Sequence, residues 1–304
     1  MRVSIIENIR KEKGITMRYG ALEAGGTKMI VAIGNENGKI LERASFPTLT
    51  PSETMPKMID FFKDKEIVSL GIACFGPIDL NKESKTYGYI TSTPKLDWRN
   101  YDIVGEFKKA LNVPVGFDTD VNGSLLGEIT WGCAQNKTDA IYLTIGTGIG
   151  GGVMTNGKLL HGMLHPEMGH IKLALEDGDT YKGKCPYHAT CFEGLAAGPA
   201  IEERWGKKAV ELADNNEVWE LESAYIAQAL SSYILILSPQ IIILGGGVMH
   251  QMQLFPLIRK KVIEQLNGYI NTDEIKNIDE YIVPASLNDD QGIMGAVKLA
   301  IDAV

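Results

Sequence analysis

The chain has 304 residues, of which 44% are hydrophobic and 22% charged, enough apolar sequence for about two ordinary domains and too much for wholesale disorder. Thirty Lys and Arg stand against 38 Asp and Glu, a formal charge of −8, which suits a nucleic-acid backbone poorly. No apolar run reaches the roughly 18–20 residues of a membrane helix and the N-terminus lacks a secretory core, so a cytoplasmic protein engaging neither membrane nor nucleic acid is expected.

Residues 1–16 are polar, show no strand pattern and are set aside as a leader. Strands are then predicted at Tyr19–Leu22 and Met29–Ile33 around a glycine turn, with a third at Lys39–Ser45. Ser52 is the expected N-cap of a helix covering Met55–Phe62. A buried strand, Ser69–Ala73, ends at Gly76-Pro77. It is followed by an amphipathic helix at Ile103–Leu111, a strand at Val113–Phe117 and a small-residue helix at Gly123–Thr130. A second unit opens similarly, with strand Ala140–Thr144, a glycine turn over Gly146–Gly152 and a returning strand to Thr155. Helices at Glu202–Trp205 and Tyr225–Leu237, a strand at Gln240–Leu244 and a final helix from Gln291 to Ala303 complete the pattern. This alternation argues an α/β fold with largely parallel sheets, and the two strand–glycine turn–strand openings suggest a duplicated unit.

Three glycine-rich turns stand out. Glu23-Ala24-Gly25-Gly26-Thr27-Lys28 joins two strands with no helix following, so it is neither a Walker A loop nor a dinucleotide fingerprint. It reads equally as a hairpin turn or as a place where backbone amides, the Thr27 hydroxyl and Lys28 approach an anion. Thr144 to Gly152 holds five glycines and two threonines, including Thr147 and Gly148. So little side chain costs backbone entropy, and a phosphate held by amides and hydroxyls would explain it. Gly245-Gly246-Gly247 follows a buried strand, as a tight turn or as a flat surface for a nucleotide.

Asp118-Thr119-Asp120-Val121-Asn122-Gly123 lies between a strand and a helix, where open α/β sheets bind ligands. Taken alone, Asp118 and Asp120 read as solvated turn or capping residues. Cys185, His188 and Cys191 are spaced by three and three, and His170 lies upstream. Cys₂His₂ is a closed tetrahedral set of the kind that holds structural zinc, and a reducing compartment disfavours the alternative disulfide. Cys74 and Cys133 have no ligand-like neighbours and are expected as small core residues; Trp98 is expected as a core anchor.

Together, the three glycine turns, the Asp120-x-Asn122 pair, Glu167-Met168-Gly169-His170 and the cysteine loop ending Cys191-Phe192-Glu193-Gly194 make the chain from Tyr19 onward resemble the sugar-kinase/actin ATPase superfamily, specifically the ROK family. The resemblance implies two actin-like (ribonuclease H-like) α/β domains with an active-site cleft between them: 17–133 joined by the C-terminal helix 289–304, and 134–288 carrying the zinc loop. It implies ATP as phosphoryl donor with Mg²⁺. Gly25, Gly26, Thr27, Lys28, Thr147 and Gly148 would hold phosphates, and Gly245, Gly246 and Gly247 would meet the adenosine. Glu23 stands where many members have Asp and would reach the Mg²⁺ shell through water. Asp120 would be the general base, with Gly76, Pro77, Asn122, Glu167, His170 and Glu193 on a hexose. Thr119, where the family more often has Asn, implies an altered sugar contact. Structural Zn²⁺ would take His170, Cys185, His188 and Cys191. His188 replaces the usual third Cys, and with Glu23 and the Asp118-Thr119-Asp120 run it looks like the fructokinase branch. The expected activity is therefore phosphorylation of D-fructose to fructose 6-phosphate by a homodimer, with glucose, mannose and N-acetylhexosamines as alternatives. ROK regulators carry a winged helix-turn-helix domain, for which the 18 residues before the first strand are too few.

Overall fold

The computed structural model describes residues 16–304, so the leader lies almost wholly outside the described residues. The chain divides into two compact units. Among the described residues the first takes 16–135 with His161–His165 and Asp290–Val304; the second takes Asn136–Leu160 and Pro166–Asp289.

In the first unit, β1 (Tyr19–Ala24), β2 (Lys28–Gly34), β3 (Ile40–Pro47), β4 (Leu70–Cys74) and β7 (Val115–Thr119) form one sheet in the order β3-β2-β1-β4-β7. β5 (Tyr89–Ile90) and β6 (Tyr101–Asp102) form a separate small ribbon. β2 runs antiparallel to both of its neighbours, β3 and β1, whereas β1, β4 and β7 are parallel. All five residues of β4 are buried, as expected for a strand covered on both faces, while the edge strand β3 alternates between half-buried and exposed. One core gathers Leu22, Val31, Ile72, Met58 and Phe62 of the helix Pro51–Lys63, and Phe107 of the helix Ile103–Leu111. Thr50, not Ser52, caps the first of these helices, in a capping box with Glu53, because the helix already starts at Pro51.

The C-terminal helix Gln291–Ile301 lies hard against this sheet. A Cβ on Gly71 of β4 would fall 1.9 Å from the Ala296 carbonyl oxygen, and one on Gly295 would fall 1.7 Å from the Gly123 carbonyl oxygen. Glycine at those two places is what lets backbone meet backbone. The helix Asp120–Trp131 is thereby fixed beside the sheet.

The second unit repeats the plan. β8 (Ala140–Ile145), β9 (Ile149–Thr155), β10 (Lys158–Leu159), β11 (Ile241–Gly245) and β12 (Ile282–Pro284) form a sheet in the order β10-β9-β8-β11-β12. The first three are antiparallel, and β8, β11 and β12 are parallel. Order and sense match the first sheet, in line with the suggested duplication. β9 begins at Ile149, so the glycine turn is shorter than expected and Gly150–Gly152 belong to the strand. A Cβ on Gly151 would meet the Met168 sulfur at 2.4 Å. The helix Asn216–Leu237 starts nine residues before the expected Tyr225 and buries Trp219, Tyr225 and Leu230, and the helix Leu254–Leu266 was not expected. Among the described residues no helix is long and apolar enough to cross a membrane.

Candidate functional site

The carboxyl ends of β1, β4 and β7 lie side by side, because Glu23 is in register with Ala73 and Ala73 with Asp118. Ligands of parallel sheets meet this end. β7 runs on to Thr119 and the helix opens at Asp120, so the expected acidic turn is a strand end joined directly to a helix start. Asp118 is consequently buried, 4% exposed, and is not a solvated turn residue. Thr119 is the helix N-cap, its Oγ1 accepting the Asn122 N–H at 3.1 Å, which engages the hydroxyl that resemblance linked to a changed sugar contact.

Asp120 is the first residue of that helix and accepts the Val121 N–H at 2.9 Å. Burial pushes its carboxyl up to about 6, against the pull of the backbone N–H groups. Glu23 is pushed up to about 7, first by burial and then by the charge of Asp120, while Lys28 and Arg43 draw it down. A Cβ on Gly292 would lie 2.7 Å from the Glu23 Cδ, so this carboxyl is tucked against the start of the C-terminal helix. Its Oε2 is buried with no hydrogen-bond partner among the described residues. An unpaired carboxylate oxygen beside a second carboxylate fits a cation.

The turn after β1 is closed by the Gly25 N–H donating to the Lys28 carbonyl at 3.0 Å, with Thr27 and Lys28 exposed. Lys95 brings a second cationic stem here, its Cε 3.5 Å from where a Gly26 Cβ would sit. The Gly76-Pro77 peptide is cis, and the Ile78 N–H that follows donates to His165 Nε2 at 3.3 Å. A cavity of about 390 Å³ opens alongside, bordered by Asp79, Asn81, Ser84, Thr91, His161 and Met163 among others. His161 reaches Asp118, its Nε2 3.0 Å from Oδ2 and 3.2 Å from Oδ1, and the carboxylate raises the pKa of the imidazole. Asn122 Nδ2 donates to the same Asp118 Oδ1 at 2.7 Å. His161, His165, Asp118 and Lys95 had no assigned role from sequence. The crowding of His161, His165 and His170 was the one visible signal, but a pairing across 43 positions has no local signature.

In the second unit the turn between β8 and β9 is pinned by its own backbone, the Gly146 N–H donating to Gly148 at 2.9 Å and the Gly198 N–H to Gly146 at 2.8 Å. Glu193 Oε2 accepts the Ile149 N–H at 2.9 Å and lies 2.8 Å from a Gly148 Cβ position. One of its oxygens is thus committed to the turn. Gly246 has φ of +90°, and a Cβ there would meet Ile145 backbone atoms at 2.6 Å, so the chain's own packing demands this glycine. Gly146 and Gly247 differ: a Gly146 Cβ would find its nearest neighbour, the Gly247 nitrogen, at 3.7 Å, and a Gly247 Cβ would meet nothing within 4 Å. The space beside these two is open, although both backbone groups of Gly146 are already engaged within the turn.

His170, Cys185, His188 and Cys191 converge, with ligand atoms all within 4.8 Å of one another. Cys185 Sγ lies 3.8 Å from His170 Nδ1 and 3.9 Å from His188 Nδ1, and Cys191 Sγ lies 3.6 Å from His170 Nδ1. Tetrahedral zinc with Zn–S about 2.3 Å and Zn–N about 2.0–2.1 Å sets sulfur and nitrogen about 3.5–3.6 Å apart, so the donor set fits. His170 uses Nδ1 toward the sulfurs, leaving its other nitrogen for a second partner. The preceding strap is held by Asp179, which takes Arg204 Nη2 at 3.1 Å and the Tyr225 hydroxyl at 2.5 Å. Glu167 is exposed just before the turn Met168–His170. Cys74 is buried as expected, but Cys133 is exposed, its thiol 3.3 Å from Glu128 Oε2, because it falls just beyond the helix end at Trp131. Trp98 is 1% exposed and donates to the Leu49 carbonyl at 2.6 Å, a core anchor as read.

A family model described as ROK family matches residues 19–303. A Bacillus subtilis (strain 168) protein is 51% identical over 286 residues, which cover 94% of this chain and 96% of its own. A protein named fructokinase from Pediococcus pentosaceus is 45% identical over 284 residues, 93% of this chain and 98% of its own. Among solved structures, a ROK hexokinase from Thermus thermophilus matches with a TM-score of 0.76 at 24% identity, covering 94% of this chain and 98% of that one, a likeness of fold.

Proposed function

The chain belongs to the ROK family, and on that footing we propose that it is a fructokinase, transferring the γ-phosphoryl group of ATP to D-fructose to give fructose 6-phosphate and ADP. The observation that carries this is the 45% identity to a named fructokinase across nearly the whole of both chains.

Asp120 is the base. A carboxylate whose pKa is about 6 is mostly ionised at neutral pH and still basic enough to take the hydroxyl proton as the sugar oxygen attacks phosphorus. Position at a helix start, with the Val121 N–H on its Oδ1, fixes its direction. Asn122, two residues further, and the 76–77 corner meet the sugar with Glu167, the free nitrogen of His170 and the second oxygen of Glu193. Gly25, Gly26, Thr27 and Lys28 hold phosphate oxygens, as do Thr147 and Gly148, and Gly245–Gly247 meets the adenosine. Glu23, with its orphaned buried oxygen, is the group fitted to the Mg²⁺ that accompanies ATP. That ion supplies charge neutralisation on the phosphates. His170, Cys185, His188 and Cys191 would hold zinc, which would stiffen the loop that carries Glu193.

In the same reading residues 17–133 with 289–304, and residues 134–288, are two actin-like ATPase domains, supported by the shared strand order of the two sheets. The protein acts in the cytoplasm as a homodimer, which light scattering checks.

A coupled ADP-release assay on fructose, glucose, mannose and N-acetylhexosamines tests the proposal. Fructose is expected to be turned over, and Asp120→Asn to reduce kcat by about 10²–10⁴-fold. Turnover of another hexose but not fructose overturns the choice of sugar. No turnover at all by folded, zinc-loaded protein overturns the kinase assignment.

A further inference from the structure

We propose that His161, anchored by Asp118, is a positioning residue for the acceptor hexose. The inference rests on the reading that Asp120 and Asn122 face that sugar.

A carboxylate oxygen without a proton can only accept hydrogen bonds. Asp118 gathers three donors: the Thr119 N–H at 2.8 Å, Asn122 Nδ2 at 2.7 Å and His161 Nε2 at 3.0 Å. Each is thereby oriented. Asn122 must turn its NH₂ to Asp118, so its carbonyl oxygen points the other way. That oxygen is buried in a residue with 0% exposure and has no hydrogen-bond partner among the described residues. Leaving it so is unfavourable unless a donor arrives. A sugar hydroxyl is such a donor, and the residue lies two positions after Asp120.

His161 closes the arrangement. Its Nε2 stands 3.4 Å from Asn122 Nδ2, so the imidazole flanks the amide as well as the carboxylate. Its side chain is 39% exposed while that of Asp118 is 5% exposed, and His161 borders the 390 Å³ cavity. A cavity of this size lies in the range of small-ligand sites, and Asp79, Asn81, Ser84 and Thr91 give it polar walls. The imidazole therefore sits where a hexose would pass from the cavity to Asn122. Residues 161–165 belong to the first unit, although the sequences on both sides belong to the second. The Ile78–His165 bond holds the other end of this short segment, so His161 is placed by two anchors rather than hanging free.

The test compares His161→Leu, His161→Gln and Asp118→Asn with wild type, measuring KM for hexose and for ATP separately. Hexose-induced thermal shifts are measured alongside. His161→Leu and Asp118→Asn are expected to raise the hexose KM about tenfold with the ATP KM unchanged, whereas His161→Gln, which keeps a donor toward Asp118, retains a hexose KM within about threefold of wild type. Unchanged hexose KM in His161→Leu, equal losses in Leu and Gln, or hexose and ATP KM rising together overturn the inference. Lack of fructose turnover by wild type sinks the fructokinase reading alone, and the thermal shifts then compare the variants on whichever hexose binds. Binding of no hexose by wild type overturns both.

Discussion

A carboxylate that accepts a proton from a hydroxyl works only while it is ionised. Asp120 titrates near 6, so kcat/KM for the hexose is expected to fall about tenfold per pH unit below about 6 and to level off above it. A rate profile between pH 5 and 8 checks this, and a flat profile would remove Asp120 from the base's role. Glu23 carries the opposite burden. Its pKa is raised from 4.5 to about 7, so the folded state holds its proton more tightly than the unfolded chain. The stabilisation is full below about 4.5 and is lost as pH rises through about 7. Glu23→Gln should therefore make the ligand-free protein more stable at pH 8, by at most about 3 kcal/mol, with little gain near pH 4.5, and should impair ATP turnover. Denaturant unfolding at both pH values measures it; equal effects would show that burial of charge is not the cause. The strand-to-helix junction at Asp120 was legible in the sequence because the pattern around it is local. The burial of Asp118 was not, since it depends on pairing with β4 and its partner His161 arrives from 43 residues away.

At the scale of elements, the loop that carries the histidine–cysteine cluster is tied down by polar groups. Cys185 and Cys191 are buried, His188 is exposed, and the strap before them hangs on Asp179 and Arg204. Purified protein is expected to contain about one zinc per chain, and chelation or Cys191→Ser to lower Tm by about 5 °C or more while raising the fructose KM. Zinc-free protein with unaltered Tm would refute the assignment. The cluster was readable from sequence because ligand spacing within a turn is a local matter. Glycine-rich segments were harder. Gly150–Gly152 look like loop and are strand, because the neighbour that makes glycine necessary, Met168, lies beyond the hairpin. Ser52 looked like a cap, yet Pro51 can occupy the first helical position and moves the cap to Thr50. Cys133 looked like core, but exposure is set by where a helix stops, and helix ends are read least well from pattern.

For the molecule as a whole, the repeated strand order accounts for why two similar strand–glycine turn–strand openings are visible at Gly25 and Gly146. The net charge of −8 bears on partners at this scale. Basic counterion release is what drives non-specific DNA binding, so no retention on duplex DNA is expected even at about 50 mM salt. A salt-dependent mobility shift would contradict the enzyme reading and favour a regulator.

Glu23, Gly71 and Gly123 leave the ribosome early, but the helix that covers them, Gln291–Ile301, comes some 170 residues after Gly123. Until it emerges, one face of the first sheet has no lid and the Glu23 carboxyl lacks the wall formed by Gly292. The first half of the chain cannot mature ahead of the second. A nascent chain is thus kept from assembling its acidic centre before the rest of the enzyme has been made, and a prematurely terminated one never assembles it.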